Sequence, residues 1–280
     1  MPEIAYVDGG FLPLENAMVH VEDRGFQFAD AVYEVVRTYQ GKPFAVEEHL
    51  GRLFRSLEGI QLRHTFTVEQ LRGLIEEAAK RAGFAEAVIY LQISRGQAPR
   101  HRGFPVKSEA TLVITVRGLH STQQARERGV RVLTVPDNRW GRCDIKSVAL
   151  LANVLAYQAA KQAGADDAVF VEADGTVNES TAGNVFVVSG GEIATPPKGP
   201  KILSGVTRDK ILQASRAAGI TCREERVMKS DLFKAGEIFL TSTTSEVVPV
   251  IEVDGKKIGN GVPGPVAGRV YGQFVRMFAQ

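Results

Sequence analysis

Lys146 stands in the stretch RWGRCDIKSVALLANVLAYQ, just before a long apolar run with helical spacing. A lysine at the end of a regular element can be held rigidly and partly desolvated. Desolvation and a nearby cation favour the neutral amine, and only the neutral amine attacks a carbonyl to form a Schiff base. Taken singly, a lysine in such a place is more often a solvated charge flanking a helix. Other chemistries find less support. There is no GxxxxGK[ST] loop and no GxSxG elbow, and no GxGxxG is expected between a strand and a helix. His20, His49, His64, His101 and His120 show no HExxH or paired-cysteine spacing, so no metal site is expected. His49 and His120 are read as structural or surface residues. Cys143 is read as a buried, inert thiol, and Trp140 as packing near the site.

Six words of the sequence go further: EDRGFQFADAVYEVVR, EEHLGRLFRS, RWGRCDIKS, VNESTAGNVF, LSGVTRD and LTSTTSEVVPV. Together they resemble the D-amino-acid transaminases, members of the fold-type IV pyridoxal-phosphate enzymes that also include branched-chain aminotransferases. The words run in family order from about residue 5 to 255. The resemblance implies a two-domain α+β fold with pyridoxal 5'-phosphate at the domain interface. Lys146 then resembles the lysine that binds the cofactor as a Schiff base and later moves a proton between substrate and cofactor. Glu179 resembles the carboxylate facing the pyridine nitrogen, where it favours the protonated, electron-withdrawing ring. Arg52 resembles the phosphate-binding arginine, whose planar fork suits phosphate oxygens. Val206 and Thr207 open a predicted helix, whose first N–H groups would meet that phosphate. Ser242 and Thr243 resemble a second phosphate-contacting loop, and Leu203 an apolar residue packed on the cofactor face.

For the substrate, Tyr33 and Arg100 resemble two members of the family's α-carboxylate trap. The resemblance implies that Arg100 reaches in from a neighbouring subunit, so a homodimer is expected. The family pattern there is arginine, any residue, histidine, whereas this chain reads Arg100-His101-Arg102. Arg102 takes the histidine position and His101 is displaced by one, which can turn a side chain to the other side of an extended loop. The expected reaction moves the amino group of a D-amino acid, best D-alanine, to a 2-oxo acid such as 2-oxoglutarate. The alternatives are a branched-chain L-amino acid or (R)-amine transaminase of the same fold, an aminodeoxychorismate-type lyase, and a non-catalytic binding protein.

The elements that must position these residues are legible in part. Leu50, Leu53, Phe54, Leu57 and Ile60 mark one face of a helix within 46–62, and Thr67 with Gln70 forms a capping box for a second helix that stops at Gly83. IAYVDGGFLPL reads as a hairpin around Asp8-Gly9-Gly10. AVIYLQISRG, ATLVITVRG and VRVLTVP read as strands, and NVFVVSGGEIAT as a hairpin. SVALLANVLAYQAAKQAG and GVTRDKILQASRAAG read as helices, with a last helix over much of 264–279. Residues 117–124 lose periodicity and form the expected connector. The division is 1–118, a smaller α/β domain, and 119–280, a larger one, with mixed or antiparallel sheets.

Composition agrees. The 280 residues are 44% hydrophobic and 24% charged, enough for about two domains of ~150 residues. With 34 basic and 32 acidic residues the net charge is only +2, which argues against a nucleic-acid or polybasic membrane binder. Two cysteines fit a reducing compartment, no apolar run nears the ~18 residues of a membrane span, and the start lacks a signal-peptide pattern. A soluble cytoplasmic protein is expected.

Overall fold

Strand Ala31–Tyr39 alternates its residues between two fates, and the first unit is built around that alternation. A computed structural model describes residues 2–7 and 9–278. Asp8 of the expected first turn and Ala279 of the expected last helix lie outside the described residues. The chain divides into two units, Met1–His120 with Ile145–Ala149, and Ser121–Asp144 with Leu150–Gln280.

The first unit contains β1 (Ile4–Val7), β2 (Gly10–Pro13), α1 (Arg24–Phe28), β3 (Ala31–Tyr39), β4 (Lys42–Pro43), α2 (Val46–Gly59), α3 (Val68–Ala82), β5 (Ala87–Ser94) and β6 (Thr111–Gly118). The strands form one sheet in the order β2-β1-β6-β5-β3-β4, with antiparallel neighbours. Val32 pairs with Ile93 and Val36 with Ile89, so these side chains share a face. That face buries against Leu50, Leu53 and Leu57 of α2 and Leu71 and Ile75 of α3. Truncating one such leucine to alanine costs about 2–5 kcal/mol. The capping box of α3 forms as expected: Gln70 N–H donates to Thr67 Oγ1 at 3.2 Å and Thr67 N–H to Gln70 Oε1 at 3.0 Å. Gly83 ends the helix at φ +71°.

Residues 145–149 join this unit as a short irregular strip along β3. Tyr33 N–H donates to the Lys146 carbonyl at 3.0 Å, Val148 N–H donates to the Ala31 carbonyl at 3.1 Å, and Ser147 bridges Val32. Here the structure differs from a division of the chain at 118/119 and from a helix starting at Ser147. Backbone hydrogen bonds to β3 hold 146–148 out of helical form, so the helix begins only at Leu151.

The second unit contains α4 (Gln123–Arg128), β7 (Val130–Pro136), α5 (Leu151–Gln162), β8 (Asp167–Val171), β9 (Val177–Ser180), β10 (Asn184–Ser189), β11 (Glu192–Thr195), α6 (Val206–Ala217), β12 (Cys222–Glu224), α7 (Lys229–Leu232), β13 (Glu237–Ser242), β14 (Glu246–Val253), β15 (Lys256–Lys257) and α8 (Pro265–Val275). The order is β12-β11-β10-β13-β14-β7-β8-β9, with β15 on β14. Three pairs are parallel (β11 with β12, β14 with β7, β7 with β8), so the sheet is mixed. β9 also meets β10, through Glu179 opposite Asn184, which closes the path into a ring. The two lobes together make the α+β fold expected from the sequence.

Two sequence readings need correction. Gly259-Asn260-Gly261-Val262-Pro263-Gly264 does match GxGxxG between β15 and α8. It holds no anion-binding helix start, because the Glu237 carboxylate already accepts from Val266 N–H at 3.0 Å and Ala267 N–H at 3.1 Å. A Cβ at Gly264 would collide with Glu237 Cδ at 2.0 Å, so the glycine serves that cap. Trp140 is half exposed rather than packed. Among the described residues no helix is long and apolar enough to cross a membrane.

Candidate active site

The first unit gathers Lys146, Tyr33 and Arg52 through β3 and α2. Lys146 Nζ lies 4.1 Å from the centroid of the Tyr33 ring, which itself stacks on Tyr90 at 5.5 Å. Tyr33 points to the sheet face opposite the helices, as the two-residue period requires. Burial, together with the neighbouring Tyr33, pushes the Tyr90 phenol up to about 12. The backbone of Lys146 is held from two sides: its carbonyl accepts from Tyr33 N–H, and its N–H donates to Ser56 Oγ at 3.1 Å.

On the other face of β3 the register that buries Val32 and Val36 also buries Glu34. Its carboxylate accepts from Arg52 Nε at 2.7 Å and Nη2 at 2.8 Å, a two-pronged pair, and lies 2.7 Å from His49 Nδ1. Burial alone would raise the Glu34 carboxyl. The Arg52 charge and hydrogen bonds, with His49, outweigh burial and hold it at about 2. Burial pushes His49 below the ordinary imidazole range, although Glu34 pulls the other way. His49, Arg52 and Ser56 recur at three- and four-residue steps, so one face of α2 supplies both the arginine and the Lys146 support. The sequence reading missed Glu34 and Ser56. A lone acid between Val32 and Val36 on a strand of period two was the available signal.

The second unit holds Glu179, Leu203, Val206, Thr207, Ser242 and Thr243. Glu179 is buried on β9. Arg139 Nη1 donates to its Oε1 at 2.5 Å, while Leu203 N–H and Asn184 Nδ2 donate to its Oε2 at 3.0 and 3.2 Å. Arg139 is gripped in turn by both oxygens of Asp137, at 3.0 and 2.7 Å, and Asn178 donates to Asp137 at 2.7 Å. Burial disfavours charge on Arg139, but Asp137 and Glu179 prevail and hold its pKa above the ordinary range. Burial likewise would raise Asp137, but the Arg139 and Asn178 hydrogen bonds hold it low. Arg139 is a further residue that sequence reasoning missed, although it opens the word RWGRCDIKS.

Val206 and Thr207 occupy the first turn of α6, and both are buried. Gly205, the residue before them, provides no side-chain cap. A helix start of this kind, preceded by a glycine that brings no capping side chain, fits a phosphate. Gly205 packs tightly there: a Cβ on it would lie 2.1 Å from Asn184 Oδ1. Ser242 Oγ accepts from Ser245 N–H at 3.1 Å in a tight turn, with Thr243 half-buried within it. Leu203 is half-buried. Burial pushes the Cys143 thiol up to about 11, in line with an inert cysteine.

The loop with Arg100, His101 and Arg102 belongs to the first unit and is exposed. Arg100 lies over the Phe28 ring at 4.5 Å and donates to the Gln27 carbonyl at 3.3 Å. His101 Nδ1 accepts from Gly103 N–H at 3.1 Å, so its ring is turned into its own loop.

Buried arginine–carboxylate pairs, an uncapped helix start and a backbone-clamped lysine are the parts that an anionic aldehyde cofactor would require. The family model described as amino-transferase class IV matches residues 31–253. The chain belongs to that family, and with it to the pyridoxal-phosphate-dependent aminotransferases. It is 38% identical over 263 residues to the D-alanine aminotransferase of Bacillus licheniformis, covering 94% of this chain and 93% of that one. Among solved structures, the Escherichia coli branched-chain amino acid aminotransferase superposes with a TM-score of 0.91 at 25% identity, covering 99% of this chain and 95% of that one. The branched-chain aminotransferase of the archaeon Thermoproteus uzoniensis, solved with norvaline, reaches 0.88 at 25% identity, covering 98% of this chain and 94% of that one.

Proposed function

We propose that this chain transfers the amino group of a D-amino acid, with D-alanine the leading donor, to a 2-oxo acid such as 2-oxoglutarate. What carries the choice of donor is its likeness to a D-alanine aminotransferase across nearly the whole chain, at higher identity than to the branched-chain enzymes. Bound pyridoxal phosphate supplies a carbonyl for the amine and an electron sink for the carbanion at the α-carbon. The chain does the rest. Lys146 would hold the cofactor, and its Nζ would take the donor's α-proton and later give it back. Its clamped backbone restricts where Nζ can reach, which would make the transfer effectively intramolecular. Glu179 would keep the cofactor's ring nitrogen protonated, and Arg139 holds that carboxylate in place. Arg52, Val206, Thr207, Ser242 and Thr243 would bind its phosphate, with Glu34 orienting Arg52, and Leu203 would pack on its ring. Tyr33 and Arg100 receive the α-carboxylate, with His101 and Arg102 shaping the rim. Two half-reactions through one site give ping-pong kinetics.

The active form is a homodimer, for which the exposed apolar face of α5 provides support, and we place it in the cytoplasm. A second reading, a branched-chain or (R)-amine transaminase, draws on the solved structures of that shape. The test is the absorbance of the holoenzyme with single amino acids. D-alanine should bleach the cofactor–lysine band, and Lys146→Ala should abolish the change. Bleaching by L-leucine or an amine alone would move the assignment to the second reading. Repeated turnover without any oxo acid would mark a lyase.

A further inference from the structure

Arg24 is almost fully buried, 3% exposed, yet its guanidinium is spent on a surface loop. Nη1 donates to the His101 carbonyl at 2.6 Å and Nη2 reaches the Arg102 carbonyl at 3.5 Å. Nε donates to Asp30 Oδ2 at 2.9 Å. Asp30 also accepts two hydrogen bonds from Arg95, 2.8 Å to Oδ2 and 2.9 Å to Oδ1. Arg95 in turn lies against the Phe104 ring, 3.8 Å from its centroid.

We infer that Arg24, backed by Asp30 and Arg95, is a positioning device that fixes the loop bearing Arg100 and Arg102, and so sets the affinity for carboxylate-bearing substrates. The inference rests on reading Arg100 as a carboxylate-binding residue.

The loop is tied at its entry, middle and exit. At the entry, Gly96 adopts φ +87° and its carbonyl accepts from Arg24 N–H at 3.0 Å. A Cβ there would lie 1.7 Å from the Glu109 carbonyl oxygen, so the chain passes where only glycine fits. In the middle, two consecutive carbonyls face one planar guanidinium. At the exit, Phe104 covers Arg95. The carbonyls of His101 and Arg102 are thereby turned inward, and the side chains of Arg100 and Arg102 are left on the exposed side. Arginine suits the task because its donors form a rigid fork, whereas a lysine is a point charge on a flexible stem and cannot span two carbonyls with the same geometry. Asp30 offsets the charge of two buried guanidiniums, without which neither would be stable there.

The test uses the full chain loaded with pyridoxal phosphate, comparing Arg24→Gln, Arg24→Lys and Phe104→Ala with the unmodified enzyme. Loosening the loop should raise KM for D-alanine by about ten- to a hundredfold. The cofactor dissociation constant should stay unchanged, with kcat within about threefold. Trypsin should cut after Arg100 or Arg102 faster in every variant, located by mass spectrometry, and Arg24→Lys should not restore the slow rate. An unchanged KM overturns the inference, as does a parallel loss of cofactor binding, which would indicate general damage. Phe104 is exposed, so its variant carries the test if Arg24→Gln fails to fold. Should the unmodified enzyme ignore D-alanine, the functional reading falls separately, and equal tryptic cleavage would then overturn the positioning role.

Discussion

Lys146 Nζ rests 4.1 Å above the Tyr33 ring, and the Tyr33 N–H holds the Lys146 carbonyl at 3.0 Å. One residue of β3 thus fixes the lysine at both ends, by backbone and by ring. The ring contact does not need the hydroxyl. Tyr33→Phe should therefore leave the cofactor–lysine absorbance band in place and remove one donor to the substrate carboxylate. Losing a hydrogen bond to a charged group costs about 1.5–3 kcal/mol, so KM for D-alanine should rise about tenfold or more. Steady-state kinetics checks this. A changed absorbance band with an unchanged KM would show that the hydroxyl serves the lysine instead.

The words that carry the family resemblance were legible because each is contiguous: lysine, glutamate and helix start all lie inside short runs. Thr67 with Gln70 was legible for the same reason, since a capping box spans four residues. Glu34 was not, because its meaning depends on Arg52, eighteen positions away, and Ser56 meets Lys146 across ninety. The non-helical form of 145–148 was hidden too. SVALLANVLAYQ is a good helical sequence, but β3 supplies ladder partners for its first residues, and tertiary hydrogen bonds override local propensity. The glycine triplet 259–264 was readable as a motif, yet its role as a cap for Glu237 is visible only in three dimensions.

The Glu34–Arg52 pair predicts a pH dependence with a definite sign. The Glu34 carboxyl is held at about 2 in the fold against 4.5 ordinarily. Its contribution is complete above about pH 4.5 and is lost as the pH falls toward 2, worth about 3 kcal/mol across that window. Glu34→Gln leaves the buried Arg52 charge without its counter-ion, which should cost about 3–5 kcal/mol at pH 7. Urea unfolding at pH 7 and at pH 3 measures both. The gap between variant and unmodified protein should narrow by about 2 kcal/mol at the lower pH. An equal gap at both pH values would mean that the ionised carboxylate is not what Arg52 requires.

Gly205 packs against Asn184, which links it to Glu179 and Leu203, two of the residues proposed to hold the cofactor. Its φ of −66° is open to any residue, so only space forbids a side chain. A new Cβ would sit 2.1 Å from Asn184 Oδ1, and Asn184 Nδ2 donates both to Glu179 at 3.2 Å and to the Leu203 carbonyl at 3.0 Å. Gly205→Ala should push Asn184 away and cost about 1–3 kcal/mol by overpacking. Because the displaced amide orients Glu179, pyridoxal phosphate should bind about tenfold more weakly. Titrating the cofactor by absorbance decides the matter, and unaltered affinity would show that Asn184 does not hold Glu179 in its working position.

Leu151, Val154 and Leu155 lie three and four residues apart on α5 and are 71%, 59% and 58% exposed, with Tyr157 beside them. The opposite side of the helix buries Ala156 and Ala160 against Phe170. A helix apolar on both sides, in a monomer, would present a contiguous patch of the kind that marks an interface. If this face meets its own copy about a two-fold axis, each protomer contributes the same residues and one substitution is felt twice. Leu155→Asp should therefore convert a species of twice the 30.4 kDa chain mass into one of single mass at micromolar concentration, measured by sedimentation. The Lys146 backbone clamp lies in the other unit and is made within one chain, so folding of the separated protomer should persist. An unmodified protein that sediments as a monomer, or a variant that stays dimeric, would remove α5 from the interface.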